Sequence, residues 1–160
     1  MKSIRPVRLA VAGLLAALVL PVAPAAAQEE AAVAQVIHDF FEHMRVKDSA
    51  ALRAHFTSTG RLVGLNPRTT PPTPTVTTVD AFIGAVMGAP ELDEKVYDPE
   101  VRIDGNLATV WTSYDILVGG RFSHCGYDAF HLVKIGDAWR ITQVADTRQP
   151  QGCTTPRAPK

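Results

Sequence analysis

The residues able to do chemistry crowd into one C-terminal stretch: Tyr114, Asp115, His124, Cys125, Tyr127 and Asp128. A histidine held by a carboxylate makes a general acid–base unit near neutral pH, which His124 with a neighbouring aspartate could supply. A thiol beside a histidine can be a nucleophile. Sequence neighbours on a strand point to opposite faces, however, so His124 and Cys125 are badly placed to act together. Metal sites need ligand spacings such as C-x-x-C or H-x-x-x-H, and neither is present. No metal and no cofactor is expected.

The compartment bears on the cysteines. Lys2, Arg5 and Arg8 precede an unbroken apolar run from Leu9 to Leu20, then Pro21 and Pro24, then Ala25-Ala26-Ala27. Basic, apolar and small-residue regions in that order read as a signal peptide over residues 1–27, cleaved before Gln28. The apolar run is too short for a membrane span and ends in helix breakers. The reading is an exported protein, periplasmic or extracellular, with no membrane association after cleavage. Cys125 and Cys153, the only cysteines, then read as a disulfide. The segment from residue 28 carries 13 Lys and Arg against 16 Asp and Glu, a net charge of −3. Such a balance offers no electrostatic footprint for nucleic acid or anionic membranes.

These residues need elements to position them. Val33, Val36, Ile37, Phe40, Phe41 and Met44 form the apolar stripe of a first helix, with His38 on its polar side and His43 at the stripe's margin, both read as solvated. Asp48-Ser49 caps a short second helix through Leu52 and Phe56, ending at residues 57–60. A strand over Arg61–Leu65 follows. Residues 66–75 hold four prolines and read as an extended surface loop, of the kind that rims sites. A third helix starts near Thr78 and buries Val79, Phe82, Ile83, Val86 and Met87. Gly88 and Pro90 stop it. Period-two strands follow at Val101–Ile103, Leu107–Val118, Phe122–Ile135 and Trp139–Asp146, joined by glycine-containing hairpin turns. The organisation is a single α+β domain over residues 28–149, with residues 150–160 as a C-terminal tail.

Two-residue turns at Gly119-Gly120 and Gly136-Asp137 would set the register. Asp115 then pairs with His124, Trp111 with Asp128 and Phe130 with Gln143. One face carries Trp111, Asp115, His124, Asp128, Phe130, Leu132, Trp139, Ile141 and Gln143; the other carries Tyr114, Cys125, Tyr127 and Val144. The first face has the aromatic load and should be concave, lining a pocket with a few convergent polar groups. A slip of one residue at Gly119-Gly120 would exchange Tyr114 for Trp111 in that pocket. The pocket candidates are therefore Trp111, Tyr114, Asp115, His124, Asp128, Phe130 and Gln143. The second face is left for solvent or a homodimer contact.

The order of elements resembles the nuclear transport factor 2-like superfamily. The stretches Asp104–Tyr114, His124–Phe130 and Trp139–Ile141 are similar to blocks in small exported bacterial members of its SnoaL-like and lumazine-binding-like branches. The resemblance covers nearly all of the chain after residue 27. It implies a cone-shaped half-barrel of curved antiparallel sheet wrapped around three helices. It does not choose an activity, because isomerases, cyclases, dehydratases and non-catalytic scaffolds share that fold. A ketosteroid isomerase-like site would use Asp115 or Asp128 as base and Tyr114 or Tyr127 as donor. A polyketide cyclase-like site would pair His124 with Asp115. Three classes stay open: a domain binding a small hydrophobic or aromatic ligand, which the pocket walls favour; an acid–base isomerase or lyase; and a dimeric interaction module.

Overall fold

A computed structural model describes residues 25–66 and 71–157. The segment expected to be a signal peptide therefore lies outside the described residues apart from Ala25–Ala27, as do residues 67–70 of the proline-rich segment and 158–160 of the tail. Three helices, α1 (Ala25–Arg45), α2 (Ser49–Ala54) and α3 (Val79–Gly88), pack on a six-stranded sheet. Its strands are β1 (Phe56–Asn66), β2 (Thr73–Thr78), β3 (Leu92–Asp104), β4 (Leu107–Val118), β5 (Arg121–Ile135) and β6 (Ala138–Asp146). They lie in the order β2-β1-β6-β5-β4-β3. The sheet is an open half-barrel, and all its pairs are antiparallel except β1 with β6, which is parallel.

The three expected helices form, but α2 ends at Ala54, and Phe56, expected inside it, opens β1 instead. The stripe of α1 buries Val33, Ile37, Phe40, Phe41 and Met44 against the sheet. Asp48 caps α2 by accepting from the amide of Ala51 (2.9 Å), and Thr78 caps α3 by accepting from that of Ala81 (3.2 Å). Phe40 sits at the centre, with the rings of Phe41, Phe56, Phe82 and Phe130 all within 5.9 Å of its own. His38 is exposed as expected. His43 is not fully solvated: its Nδ1 meets Nε2 of His55 at 2.8 Å. Trp139 belongs to the core, and its indole N–H donates to Glu29 (3.0 Å), which also holds Lys134 (2.6 Å).

Three strands are longer or newer than their patterns suggest, among them β1, which runs over Phe56–Asn66 rather than Arg61–Leu65. The segment after α3 is strand from Leu92 onward, because Asp98-Pro99 forms a bulge rather than an end. Part of the proline-rich segment, from Thr73, is strand β2 and not loop. It pairs only with β1, so Pro74 costs no interior ladder bond.

The C-terminal segment returns along the outer face of the sheet. Gln149 bridges to Cys125 through two backbone hydrogen bonds (3.0 and 2.8 Å), and Cys125 is disulfide-bonded to Cys153. Closing a loop of 28 residues removes unfolded-state entropy worth about 3–4 kcal/mol. Beyond the bridge, Arg157 reaches Asp115 and Asp93.

Candidate functional site

A cavity of about 390 Å³ opens between the helices and the concave face of the sheet. One wall is apolar: Phe40, Phe41 and Met44 from α1, and Phe82 and Val86 from α3. Thr75 and Thr77 of β2 complete the rim, so the proline-rich segment does border the site. The opposite wall carries Glu94 of β3, Tyr114 and Ile116 of β4, His124 and Asp128 of β5, Asp146 of β6, and Arg148 just beyond it.

The register explains this set. The β4–β5 pairing starts with Val118 opposite Arg121, as the turn predicts, but Ser123 is an extra residue in β5. His124 therefore faces Ile116 instead of Asp115, and every later pair shifts by one. Tyr114 turns inward and is 2% exposed, whereas Trp111 turns outward, is 49% exposed, and stacks on Tyr127 at 5.1 Å. A second bulge, in β6 near Thr142, does the same beyond Leu132. Phe130 pairs with Val144 and Asp128 with Asp146, while Gln143 goes outside and accepts from Arg61. The phase of β5 itself is as expected.

Four candidates thus need correcting. Trp111 and Gln143 lie on the outer face because the bulges reverse their alternation. Asp115 is opposite Cys125, on the outer side, and does not meet His124. It is wholly buried there under the C-terminal segment. Phe130 points inward but is core, edge-on to Phe40 and Phe41 rather than in the cavity wall. Tyr114, His124 and Asp128 do come together. Glu94, Asp146 and Arg148 escaped the sequence reading. The alternation Leu92, Glu94, Val96 was a usable signal for the first; the other two depend on the β6 bulge.

The polar groups differ in how they are satisfied. The Tyr114 hydroxyl donates to the carbonyl of Thr147 (2.8 Å), and its ring lies edge-on to His124. Burial raises the pKa of that phenol, with Glu94 and Asp128 adding to the effect. His124 contacts the Ser123 hydroxyl through Nδ1 (2.9 Å), and burial, helped by Arg148, lowers its pKa. Arg148 donates to Asp146 at 2.5 Å, and its own pKa is raised chiefly by that bond. Asp128 is 3% exposed and its Oδ2 has no hydrogen-bond partner. Burial, then the charges of Glu94 and Asp146, push its pKa well up. Glu94 is pushed up to about 8, first by burial and then by Asp146. The wall is thus an ion pair at Asp146–Arg148 beside two carboxyls that resist ionisation.

The Glu94 shift is a statement about stability. A carboxyl whose folded pKa lies above its unfolded value binds its proton more tightly when folded. Stability is therefore lost as pH rises from about 4.5 towards 8. Glu94→Gln removes the titration, so its melting temperature should exceed wild type by several degrees at pH 9 and match it near pH 4.5. Melting curves across that range check this; a pH-independent difference would refute the assignment.

The sequence profile of the family described as "Putative lumazine-binding" matches residues 28–145. The chain belongs to this family. Within the lumazine-binding-like family it also shares the nuclear transport factor 2-like fold with many solved structures. One is a nuclear transport factor 2-like protein of unknown function from Shewanella baltica: 18% identity, TM-score 0.62, covering 81% of this chain and all of that one. Another is a protein of unknown function with a cystatin-like fold from Nostoc punctiforme: 11% identity, TM-score 0.64, covering 82% and 97%. A third is a "Putative Scytalone Dehydratase" from Novosphingobium aromaticivorans: 13% identity, TM-score 0.60, covering 78% and 86%. At these identities the likeness is one of fold. No curated protein sequence matches the chain.

Proposed function

We propose that this lumazine-binding-like protein is an exported domain that binds a small, partly aromatic molecule in the cavity between helices and sheet. The observation that carries the reading is an apolar wall of about four large side chains facing a buried, unpartnered Asp128 oxygen. Apolar space with a few convergent polar groups is the usual form of a ligand site, and a buried polar atom without a partner is costly unless something supplies one. Ala85 is exposed at the mouth, so Ala85→Trp should plug the cavity without disturbing the core. Amide chemical shifts of Tyr114, Ile116 and Asp128 should move on titration with 3-ethylindole in wild type and not in Ala85→Trp. Equal shifts in both proteins would rule out this cavity as the site.

Export is supported by the three-part N-terminus, by the Cys125–Cys153 disulfide, and by a family match that begins at residue 28, directly after the expected cleavage point. Among the described residues no helix is long and apolar enough to cross a membrane. The intact mass of the protein expressed with its own N-terminus should correspond to a chain starting at Gln28 with one disulfide. Such cleavage keeps Glu29, which the Trp139 indole needs.

A second reading is an acid–base isomerase or lyase of the ketosteroid isomerase or polyketide cyclase type. It draws support from the raised carboxyl of Glu94 beside Tyr114, since a general base works best when poised near the working pH. Deuterium incorporated at a carbon of a recovered ligand after incubation in heavy water would select this reading over binding alone.

A further inference from the structure

We infer that the cavity ligand carries a protonated amine, which meets the Oδ2 of Asp128 while an apolar or aromatic body packs on Phe40, Phe41 and Phe82. This rests on the cavity being a ligand site, and it adds the chemical class. The donors and acceptors of the polar wall are mostly spent. Tyr114 donates to Thr147, His124 faces Ser123, and Asp146 holds Arg148. The buried acceptor of this wall without a partner is Oδ2 of Asp128, with Glu94 facing the same space. Once ionised, that carboxylate only accepts, so a ligand that draws it into the ionised form brings the donor.

The charges favour a cationic donor. Three carboxyls line the cavity against one guanidinium, which is ion-paired through Nε with Asp146. The Arg148 side chain is also 56% exposed, so solvent screens it, whereas Asp128 lies deep. Each acidic group makes the others harder to ionise; an ammonium among them reverses that penalty. An anionic ligand would add to the repulsion. The apolar wall supplies no charge of its own, because the lining residues of α1, α3, β1 and β2 are all non-titratable.

A proton balance follows. Without a cation nearby Glu94, pushed up to about 8, holds its proton near neutral pH, and burial with the charges of Glu94 and Asp146 pushes the Asp128 carboxyl in the same direction. When the ammonium enters, a carboxyl releases its proton to solvent, so affinity should rise with pH until the amine itself deprotonates. The groups facing Glu94 are Tyr114 of β4, His124 and Asp128 of β5, and Asp146 with Arg148; Asp115 and Arg157 act from the outer side.

The test is calorimetric titration with three probes of one shape: tryptamine (cationic), 3-ethylindole (neutral) and indole-3-propionate (anionic), at pH 6.5 and 8.5. Wild type should prefer tryptamine over 3-ethylindole by about tenfold at pH 8.5, the worth of one charge-assisted hydrogen bond. The preference should shrink at pH 6.5, and the heats should vary with buffer ionisation as protons leave. Asp128→Asn should abolish the preference yet still bind 3-ethylindole. If 3-ethylindole or the propionate binds wild type as tightly as tryptamine, the amine is refuted while the cavity reading stands. If no probe binds, or Ala85→Trp binds as well as wild type, both fall.

Discussion

Gly126→Ala should lower stability by about 3 kcal/mol or more, seen as a fall of roughly 10 °C or more in the melting temperature. The reason is space. A Cβ on Gly126 would lie 1.9 Å from the carbonyl oxygen of Thr147, 2.8 Å from its carbonyl carbon and 2.8 Å from Cε1 of Tyr114. No rotamer relieves a contact with backbone, so either the chain after β6 lifts off or the Tyr114 ring leaves its place. Both break the hydrogen bond from Tyr114 to Thr147, and both disturb Arg148, one residue further on. Gly126 pairs with Tyr114 across β4 and β5, so the smallest residue of the sheet sits where the largest polar side chain of the cavity must pass under the returning chain. The variant should therefore lose 3-ethylindole binding as well as stability. A melting temperature within about 2 °C of wild type would mean that Thr147 does not cross there.

Arg157→Ala should cost about 3–5 kcal/mol, the usual result of removing one partner from a buried ion pair. Asp115 is wholly buried. Arg157 donates through Nε to its carboxylate (2.5 Å) and through Nη2 to its backbone carbonyl (2.8 Å), and binds Asp93 through Nη1 (2.6 Å). Tyr97 adds one bond to Asp115 (3.0 Å). With the guanidinium gone, only that hydroxyl and the backbone amide of residue 157 (3.3 Å) would face a buried charge. The decisive control is Asp115→Asn in the Arg157→Ala background. Removing the charge should recover a large part of the loss, although the same change in wild type should destabilise. Chemical unfolding of the four proteins gives the coupling directly. Purely additive effects would show that the pair is not formed. Reduction of the disulfide should weaken the clamp, because Cys153 holds the chain four residues from Arg157 and so lowers the entropy cost of seating it.

The sequence by itself determined α1, α3 and the last three strands, but not the extent of α2, β1 and β3 or the existence of β2. Apolar stripes at helical spacing in α1 and α3, glycine turns between the last three strands, and an even cysteine pair are local signals, and each element formed where its signal lay. The phase of β5 was also legible, which is why His124 and Asp128 were placed on the concave face. Period two, however, states that side chains alternate and says nothing of where alternation is interrupted. One extra residue at Ser123 and another near Thr142 exchanged Tyr114 for Trp111 and Val144 for Gln143, because each bulge turns every later side chain to the other face.

Only the tertiary structure could assign Asp115. Its partner, Arg157, is 42 residues away on a segment with no periodicity, so neither spacing nor pattern joins them. The same holds for the polar wall. Glu94, Asp128 and Asp146 come from three different strands, and their mutual repulsion exists only because the sheet curves and the helices exclude water. His124 and Asp115, which looked like the acid–base pair, are divided by the sheet itself. The ionisable groups that can act on a ligand are those that curvature gathers, and a linear sequence carries curvature only through the bulges it does not announce.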